Sequence, residues 1–218
     1  SAANYPTPTF GAPVNTAIGK LGIYHLQGDG DVSPYLGQEA TVEGIVVADW
    51  QEDDEMEGFF MQDPAGGDGD PSTSDGIFVY ATDVVSVGDW IKVTGTVDEY
   101  YGLTQLESLS SLEVLSSSMA FIPPATEITL PEPTDGYMER YEGMLVTIPH
   151  TMTVAQNYFQ GRFGQVTLAA AGRMYQPTNL YRPESPEAEA LAAENARRLL
   201  VLDDGSSDQN PDPIPYIE

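Results

Sequence analysis

Residues 58–80 read GFFMQDPAGGDGDPSTSDGIFVY, and this stretch decides the fold. Its two ends, GFFM and GIFVY, are rich in the aromatic and β-branched residues typical of strands. Between them lie Asp, Gly, Pro, Ser and Thr, which turn the backbone or hydrogen-bond to it locally. The stretch therefore predicts a β-hairpin with a long acidic loop. A loop of this length in a compact domain is usually functional or disordered.

Short strands with internal glycines are predicted on both sides of this hairpin. Residues 21–26 (LGIYHL) and Glu39–Trp50 (EATVEGIVVADW) precede it, and Gly44 indicates a bulge or bend. Residues 84–98, interrupted by Gly95, follow it, and residues 103–115 supply a last strand pair. With no long helix between these strands, the pattern predicts an all-β fold that begins with an OB-fold-like barrel over residues 21–116.

The strand pattern begins again after a proline-rich connector at residues 117–136. The run EGMLV at 142–146 echoes EGIVV at 43–47 and predicts a second OB-like β region over residues 137–218, which need not be completed within the chain. This region holds one short helix at residues 186–198, with Ser185 as its N-cap, and ends in an extended tail.

Residues 1–20 form an extended N-terminal arm in this scheme, because they are rich in Pro, Thr, Ala and Asn. The arm is either a loose terminus or a segment that docks on a sheet edge, its own or a neighbour's. The first residues, SAAN, fit the small-residue edge left after cleavage of a signal peptide.

The excess of acidic over basic side chains limits the classes of partner that the chain can bind. The 218 residues include 34 acidic and only 8 basic side chains, a formal charge of −26. Nucleic acid is bound mainly by Lys and Arg that neutralise phosphates, so we expect only weak, cation-dependent binding of nucleic acid. Such an acidic domain suits a salty or calcium-rich medium. The chain has no cysteine and no apolar run long enough to span a membrane.

Carboxylates in the long loop are the predicted metal ligands, because Ca²⁺ prefers hard oxygen donors. They are Asp63, Asp68, Asp70 and Asp75. Their spacing is not that of an EF-hand. The alternative is a loop whose carboxylates cap backbone amides in Asx-turns. The run EDDE at 52–55 is either a solvated charge run or a second ion site.

A few aromatic and basic side chains are candidates for contact with nucleic acid, since OB-folds stack single-stranded bases on aromatic rings. The predicted contacts are Trp90, Lys92, Tyr100 and Tyr101, with Trp50 as a further aromatic. The alternative is packing in the barrel core or at its rim, which the lack of an accompanying basic groove favours. The arginines of the last third either touch phosphate or pair with neighbouring Glu.

An ordered series of short motifs resembles the OB-like, YhcR-type accessory region of secreted bacterial nucleases of the ExeM and NucH type. In chain order the motifs are YHLQG (24–28), SP (33–34), VEGIV (42–46), GFFMQDP (58–64), GDGDP (67–71), TSDGIFVY (73–80), VGD (87–89), GTV (95–97), EYYGLTQL (99–106), LYRP (180–183), NARR (195–198) and LDDG (202–205). Together they extend over most of the chain from Leu21 onward.

The resemblance implies a secreted, extracellular protein whose chemistry lies elsewhere. In the resembled nucleases the chemistry lies in a downstream endonuclease/exonuclease/phosphatase domain, which needs a metal-binding Asn and Glu near its start and an Asp and paired His later. The resemblance implies that this chain ends before such a domain. No catalytic residue is predicted here, and the downstream nuclease domain is the expected partner. The leading function is a non-catalytic, calcium-stabilised accessory module that positions substrate or domains.

A second function from another class fits the same sequence. The chain would be a structural subunit of a self-assembling extracellular filament or matrix, joined to identical subunits through its extended termini. Calcium would then offset the repulsion between highly acidic subunits.

Overall fold

The computed structural model describes residues 21–64, 66–117 and 122–217. The expected N-terminal arm at residues 1–20 lies outside the described residues. Five strands of the first half close into a barrel: β1 (Glu39–Trp50), β2 (Gly58–Gln62), β3 (Gly76–Tyr80), β4 (Asp89–Tyr100) and β5 (Leu103–Ser117). Their order around the barrel is β1-β2-β3-β5-β4, and β4 returns to pair with β1. This five-stranded barrel is the OB-fold arrangement, so the all-β prediction is confirmed.

The long strands pair with different neighbours along their length, and so contribute to two sides of the barrel. The first part of β1 pairs with β4 and its last part pairs with β2, with a register shift between Val46 and Ala48. The β4–β5 pairing shifts between Thr94 and Thr96, on either side of Gly95, as predicted. Gly44 was predicted to bend β1, but it stays in register opposite Ile91. Its role is steric, because a Cβ there would lie 3.1 Å from Cγ of Met61.

The barrel core takes apolar side chains from every strand. Fully buried members are Val42, Val46, Phe59, Met61, Ile77, Val79, Ile91, Val93, Val97 and Leu106. Burying each such side chain contributes about 1.5–3 kcal/mol. Residues 103–115 were predicted as a strand pair, but they lie in the single strand β5. It pairs antiparallel with β4 along its length and parallel with β3 at Gln105 and Leu106.

The segment before β1 is helical, so the predicted strand at residues 21–26 is wrong. Helix α1 (Ile23–Gln27) buries Ile23 and Leu26 in the barrel core. These residues are three apart, a spacing that one helical turn places on one face. The backbone N–H of Gly22 donates to Nδ1 of His25 at 3.1 Å, and Gly28 ends the helix with a φ of 71°. A run of only six residues does not distinguish the apolar pattern of a short strand from that of a one-turn helix.

The second region is β-rich and open. Strand β6 (Thr126–Glu127) pairs parallel with β7 (Val146–Thr147), and β9 (Val166–Ala169) lies between β8 (Thr153–Gln156) and β10 (Leu199–Leu202). In the described part of the chain neither of these sheets closes into a barrel.

Short helices connect these strands. They are a 3₁₀ helix (Tyr137–Tyr141), α2 (Gln160–Phe163), α3 (Pro177–Leu180) and α4 (Pro186–Ala196). The predicted helix at 186–198 is confirmed as α4, two residues shorter, and Oγ of Ser185 accepts the N–H of Ala188 at 3.2 Å as its N-cap. Within the residues described, no helix is both long and apolar enough to cross a membrane.

Candidate functional site: a carboxylate-rich junction beside the barrel

The long loop between β2 and β3 is held by its own aspartates. The N–H of Asp63 donates to the carbonyl of Asp75 at 2.8 Å and continues the hairpin. Oδ1 of Asp68 accepts the N–H of Asp70 at 2.8 Å, and Oδ1 of Asp70 accepts the N–H of Ser72 at 2.9 Å. These bonds are Asx-turns, so the alternative interpretation, in which the loop carboxylates cap backbone amides, describes Asp68 and Asp70.

Two of the other predicted metal ligands raise the pKa of the Asp75 carboxyl group. Burial, with the nearby carboxylates of Asp63 and Asp68, raises the pKa of Asp75 to about 6. Asp70 stands apart, because hydrogen bonds from Ser72 lower the pKa of its carboxyl group. The side chain of Asp75 lies against Gly67, where a Cβ would overlap Oδ1 of Asp75. The loop therefore gathers negative charge around Asp75.

A small polar pocket of about 80 Å³ lies between this loop, the turn after α1 and the 3₁₀ helix. Its wall includes Asp29, Asp31, Ser72, Glu139 and Arg140. Nη1 of Arg140 donates to the carbonyl of Pro71 at 2.9 Å and so fastens the 3₁₀ helix to the loop. Burial, followed by the charges of Asp31 and Glu99, raises the pKa of Glu139.

Glu142, which follows the 3₁₀ helix, connects the second region to the barrel. Its Oε1 accepts the N–H of Thr104 on β5 at 2.9 Å, and its carbonyl accepts the hydroxyl of Ser74. Burial is the main reason that the pKa of Glu142 rises to about 7, and Glu139 and Glu99 raise it further, against the hydrogen bond from Thr104. We call the region beside the barrel where residues 28–31, 63–64, 66–75 and 137–145 meet Glu99 the junction.

Within the junction, the backbone of the second region packs directly against the backbone of the barrel. Gly76 at the start of β3 packs directly on Gly143, because a Cβ on Gly76 would lie 2.3 Å from the carbonyl group of Gly143. Oε1 of Gln62, at the end of β2, accepts the N–H of Leu145 at 3.1 Å. The echo at residues 142–146 was interpreted as the start of a second barrel. Its first part instead docks on the first barrel, and only residues from Val146 onward enter a strand.

The junction is rich in carboxylate oxygens, the donor type that calcium prefers. Glu99 accepts hydrogen bonds at Oε1 from Ser33 and Thr104, but its buried Oε2 has no protein partner among the described residues. A bound cation would satisfy such an oxygen. The donors are not gathered into a finished cage, since no group of three or more Asp, Glu or His in the described ranges is placed to hold a metal ion.

The predicted nucleic-acid contacts do not come together. Trp90 and Lys92 lie at the start of β4, whereas Tyr100 and Tyr101 lie at its far end, where Tyr101 is 95% exposed. Lys92 faces Glu43 on β1 and Glu113 on β5 in the strand register. The Tyr100 and Tyr101 rings pack edge to face with centroids 4.7 Å apart. The four residues therefore form two separate surfaces.

The acidic loop between β1 and β2 contacts the C-terminal tail. A Cβ on Gly205 would lie 2.7 Å from the Trp50 ring, and the N–H of Ser207 donates to the carbonyl of Asp54. Trp50 therefore packs against the tail. In OB-folds this loop and the β4–β5 turn flank the face that binds oligonucleotides. Here the loop reads QEDDEME, without Lys or Arg.

Two arginines of the last third bind main-chain carbonyls. Arg198 is only 7% exposed and donates to the carbonyls of Ala170, Ala171 and Gly172, with Glu194 at 3.9 Å. Arg197 donates to the carbonyls of Glu132 and Pro133 in the connector. These contacts hold segments of the second region together.

Sequence reasoning missed Glu99, Glu139 and Glu142 as site residues, because Glu99 lies far along the chain from the other two and no metal-ligand spacing connects them. Their grouping follows from the docking of the second region on the barrel. No family model matches the chain, and no curated protein matches it.

Proposed function

We propose that this chain is a non-catalytic OB-fold accessory module of a secreted, nuclease-like protein, in which calcium stiffens the junction. The observation that carries the proposal is the docking of residues 142–145 on the barrel, through Thr104, Gln62 and the Gly76–Gly143 contact. Because the segment after the connector is docked on the barrel, its position relative to the barrel is fixed. A domain joined to that segment would be oriented by this contact. The module would in this way position a downstream nuclease domain or its substrate.

Calcium would act on two groups of carboxylates. The negative charge of Asp63, Asp68 and Asp75 would draw an ion to the long loop. The negative charge of Glu99, Glu139 and Glu142 would draw one beside it. In both groups the carboxylates would have to move closer together to coordinate the ion, because the described residues form no ready cage. The ion would neutralise charges that otherwise repel each other, and would tie the loop to the segment that docks on the barrel.

Nucleic acid would be a weak partner that depends on cations. The surface that OB-folds usually offer to single strands here carries the acidic run at residues 52–55. The exposed Tyr100–Tyr101 pair supplies rings on which bases can stack. Divalent ions would screen the repulsion between phosphates and carboxylates.

The test uses the full chain with and without Ca²⁺. We expect a monomer that binds a fluorescent single-stranded oligonucleotide only in Ca²⁺, with an affinity that falls as the salt concentration rises. We also expect no cleavage of that oligonucleotide in Mg²⁺ or Mn²⁺. Cleavage by the purified chain would reject the non-catalytic assignment, and equal binding with and without Ca²⁺ would reject the role of the cation.

A specific observation favours the second candidate, a subunit of an extracellular filament or matrix. The sheet β10-β9-β8 leaves β8 and β10 at its edges, with Val154 and Val201 each more than half exposed. Exposed edges of this kind recruit strands from other chains. Negative-stain images of the chain in Ca²⁺ decide between the two: filaments that vanish when residues 1–20 are deleted support the subunit, and isolated particles support the accessory module.

A further inference from the structure

A groove in the second region, away from the junction, has the features of a docking site. Its volume is about 530 Å³, and it lies between the sheet, the segment before α3, and helix α4. Its wall includes Ala155 and Gln156 of β8, Thr167 of β9, Tyr175, and Ala192 and Asn195 of α4. One edge of the groove is therefore β8, which has a strand neighbour on one side only in the described part of the chain.

The groove wall contains a buried acceptor that lacks a donor. Asn195 is 8% exposed, and its Nδ2 donates to the carbonyl of Tyr175 at 3.0 Å. That bond sets the orientation of the amide, since the opposite orientation would place two oxygens together. Oδ1 of Asn195 has no hydrogen-bond partner among the described residues. A buried amide oxygen without a donor costs about 1–3 kcal/mol, so this position favours a ligand that brings an N–H or O–H group.

The chemistry of the groove also restricts the occupant. None of the described residues that line it is Asp, Glu, Lys or Arg, although the chain carries a net charge of −26. An uncharged groove beside a free strand edge suits an extended, uncharged peptide. Within this chain, residues 1–20 have that composition: they contain no acidic residue, a single Lys, and apolar side chains at Tyr5, Phe10, Val14 and Ile18.

We propose that residues 1–20 dock in this groove along the free edge of β8, and that a backbone or side-chain donor of the segment meets Oδ1 of Asn195. The reach is sufficient, because 20 extended residues span up to about 66 Å. A folded chain of this length has a radius of gyration of about 17 Å. The inference is independent of the accessory role and of calcium at the junction.

The test is proximity cross-linking in the full chain, which has no native cysteine. One double variant pairs Thr9→Cys in the segment with Gln156→Cys on β8, joined by a short bis-maleimide. The matched control pairs Thr9→Cys with Val84→Cys, a 92% exposed position on the barrel. Docking predicts a cross-linking yield about tenfold higher at the groove than at Val84, because the docked segment has a high local concentration there.

A blocking variant separates docking from chance encounters. Ala192→Trp fills the groove from an exposed position of α4, whereas Ala193→Trp adds the same ring at the next exposed position, outside the groove wall. The high yield should be lost with Ala192→Trp and kept with Ala193→Trp. Equal yields at the groove and at Val84, or a groove yield that Ala192→Trp leaves unchanged, would overturn the proposal.

The size of the product identifies the source of the segment. A product of monomer size means that the segment docks on its own molecule, and a ladder of multimers means that it docks on a neighbour. Both products support docking. Only the ladder also supports the filament subunit, so the inference and that candidate can fail separately.

Discussion

The backbone N–H of Thr104 donates to Oε1 of Glu142 across 2.9 Å, and this bond joins the last barrel strand to the chain beyond the connector. The two residues are 38 positions apart. Glu142 is partly buried beside Glu139 and Glu99, so its negative charge is held in an unfavourable place. The junction is therefore destabilised by the buried negative charge of Glu142, and protonation of Glu142 or binding of a cation would remove this unfavourable electrostatic energy.

The first prediction concerns Glu142 and pH. Because the folded-state pKa is about 7 and the ordinary value is 4.5, the folded chain keeps a proton between these values that the unfolded chain releases. The free energy of unfolding should then fall as the pH rises from about 4.5 to about 7, and Glu142 should cost stability above that range. Glu142→Gln keeps the acceptor for Thr104 without the charge.

We expect Glu142→Gln to raise the free energy of unfolding at pH 8, without divalent cations, by about 1 kcal/mol. This is less than the full pKa shift implies, because the carboxylate is partly solvated. At pH 4 the variant and the parent should be equally stable. Urea denaturation at both pH values measures the difference, with Glu127→Gln, an exposed position on β6, as the control. An equal gain at both pH values would contradict the electrostatic explanation.

The second prediction concerns calcium and Asp75. Burial and the neighbouring aspartates raise its pKa to about 6, so Asp75 is charged at pH 8 and largely protonated at pH 5. Millimolar Ca²⁺ should therefore raise the melting temperature more at pH 8 than at pH 5, at constant ionic strength. Ligand at a hundred times its Kd contributes about 2.7 kcal/mol. Asp75→Asn should remove a large part of the gain, and Asp83→Asn, outside the junction, should retain it.

The third prediction tests the close contact of Gly76 with Gly143. Gly76→Ala should lower the free energy of unfolding by about 1–3 kcal/mol, because the added methyl group would displace the backbone of residues 143–144. The control is Gly30→Ala, where no atom lies within 4 Å of the added Cβ, and its effect should stay within about 0.5 kcal/mol. Similar stabilities of the two variants would mean that the segment does not dock on β3.

The fourth prediction concerns Arg198. Its guanidinium holds three carbonyls in the second region, which a single ammonium group cannot reach together. Arg198→Lys should reduce the free energy of unfolding by about 2 kcal/mol, since buried carbonyls lose their donors. Arg182→Lys, at an exposed position, should be neutral. A neutral Arg198→Lys would show that the carbonyl contacts contribute little to stability.

The fifth prediction concerns single-stranded nucleic acid in Ca²⁺. Tyr101→Ala should weaken binding of an oligonucleotide about tenfold, if each stacked base contributes about 1–3 kcal/mol. Lys92→Ala should change the affinity less than about twofold, because Lys92 lies between Glu43 and Glu113 and its charge is offset there. Fluorescence anisotropy at two salt concentrations measures both. A larger loss from Lys92→Ala would move the binding surface to the start of β4.

Local sequence predicted most of the barrel. Residue type and spacing within a few positions were enough to predict four features. They are the hairpin of β2 and β3, the long strands β1 and β4, the shift around Gly95 and the N-cap of α4. The prediction failed at residues 21–26, where a helix of one turn and a short strand have almost the same pattern. It also failed for Gly44, whose missing Cβ serves contacts with distant residues.

In the candidate site, too, some features follow from local sequence and others only from tertiary packing. The Asx-turns of Asp68 and Asp70 are bonds between residues two apart, so the sequence of the loop specified them directly. The grouping of Glu142 with Glu99, and the contact of Gly143 with Gly76, depend on how the second region docks on the barrel. Side-chain periodicity and turn residues act over a few positions, and they determined an acidic, all-β chain with a long loop. Burial and charge at long range follow from tertiary packing, which alone decided where the carboxylates meet.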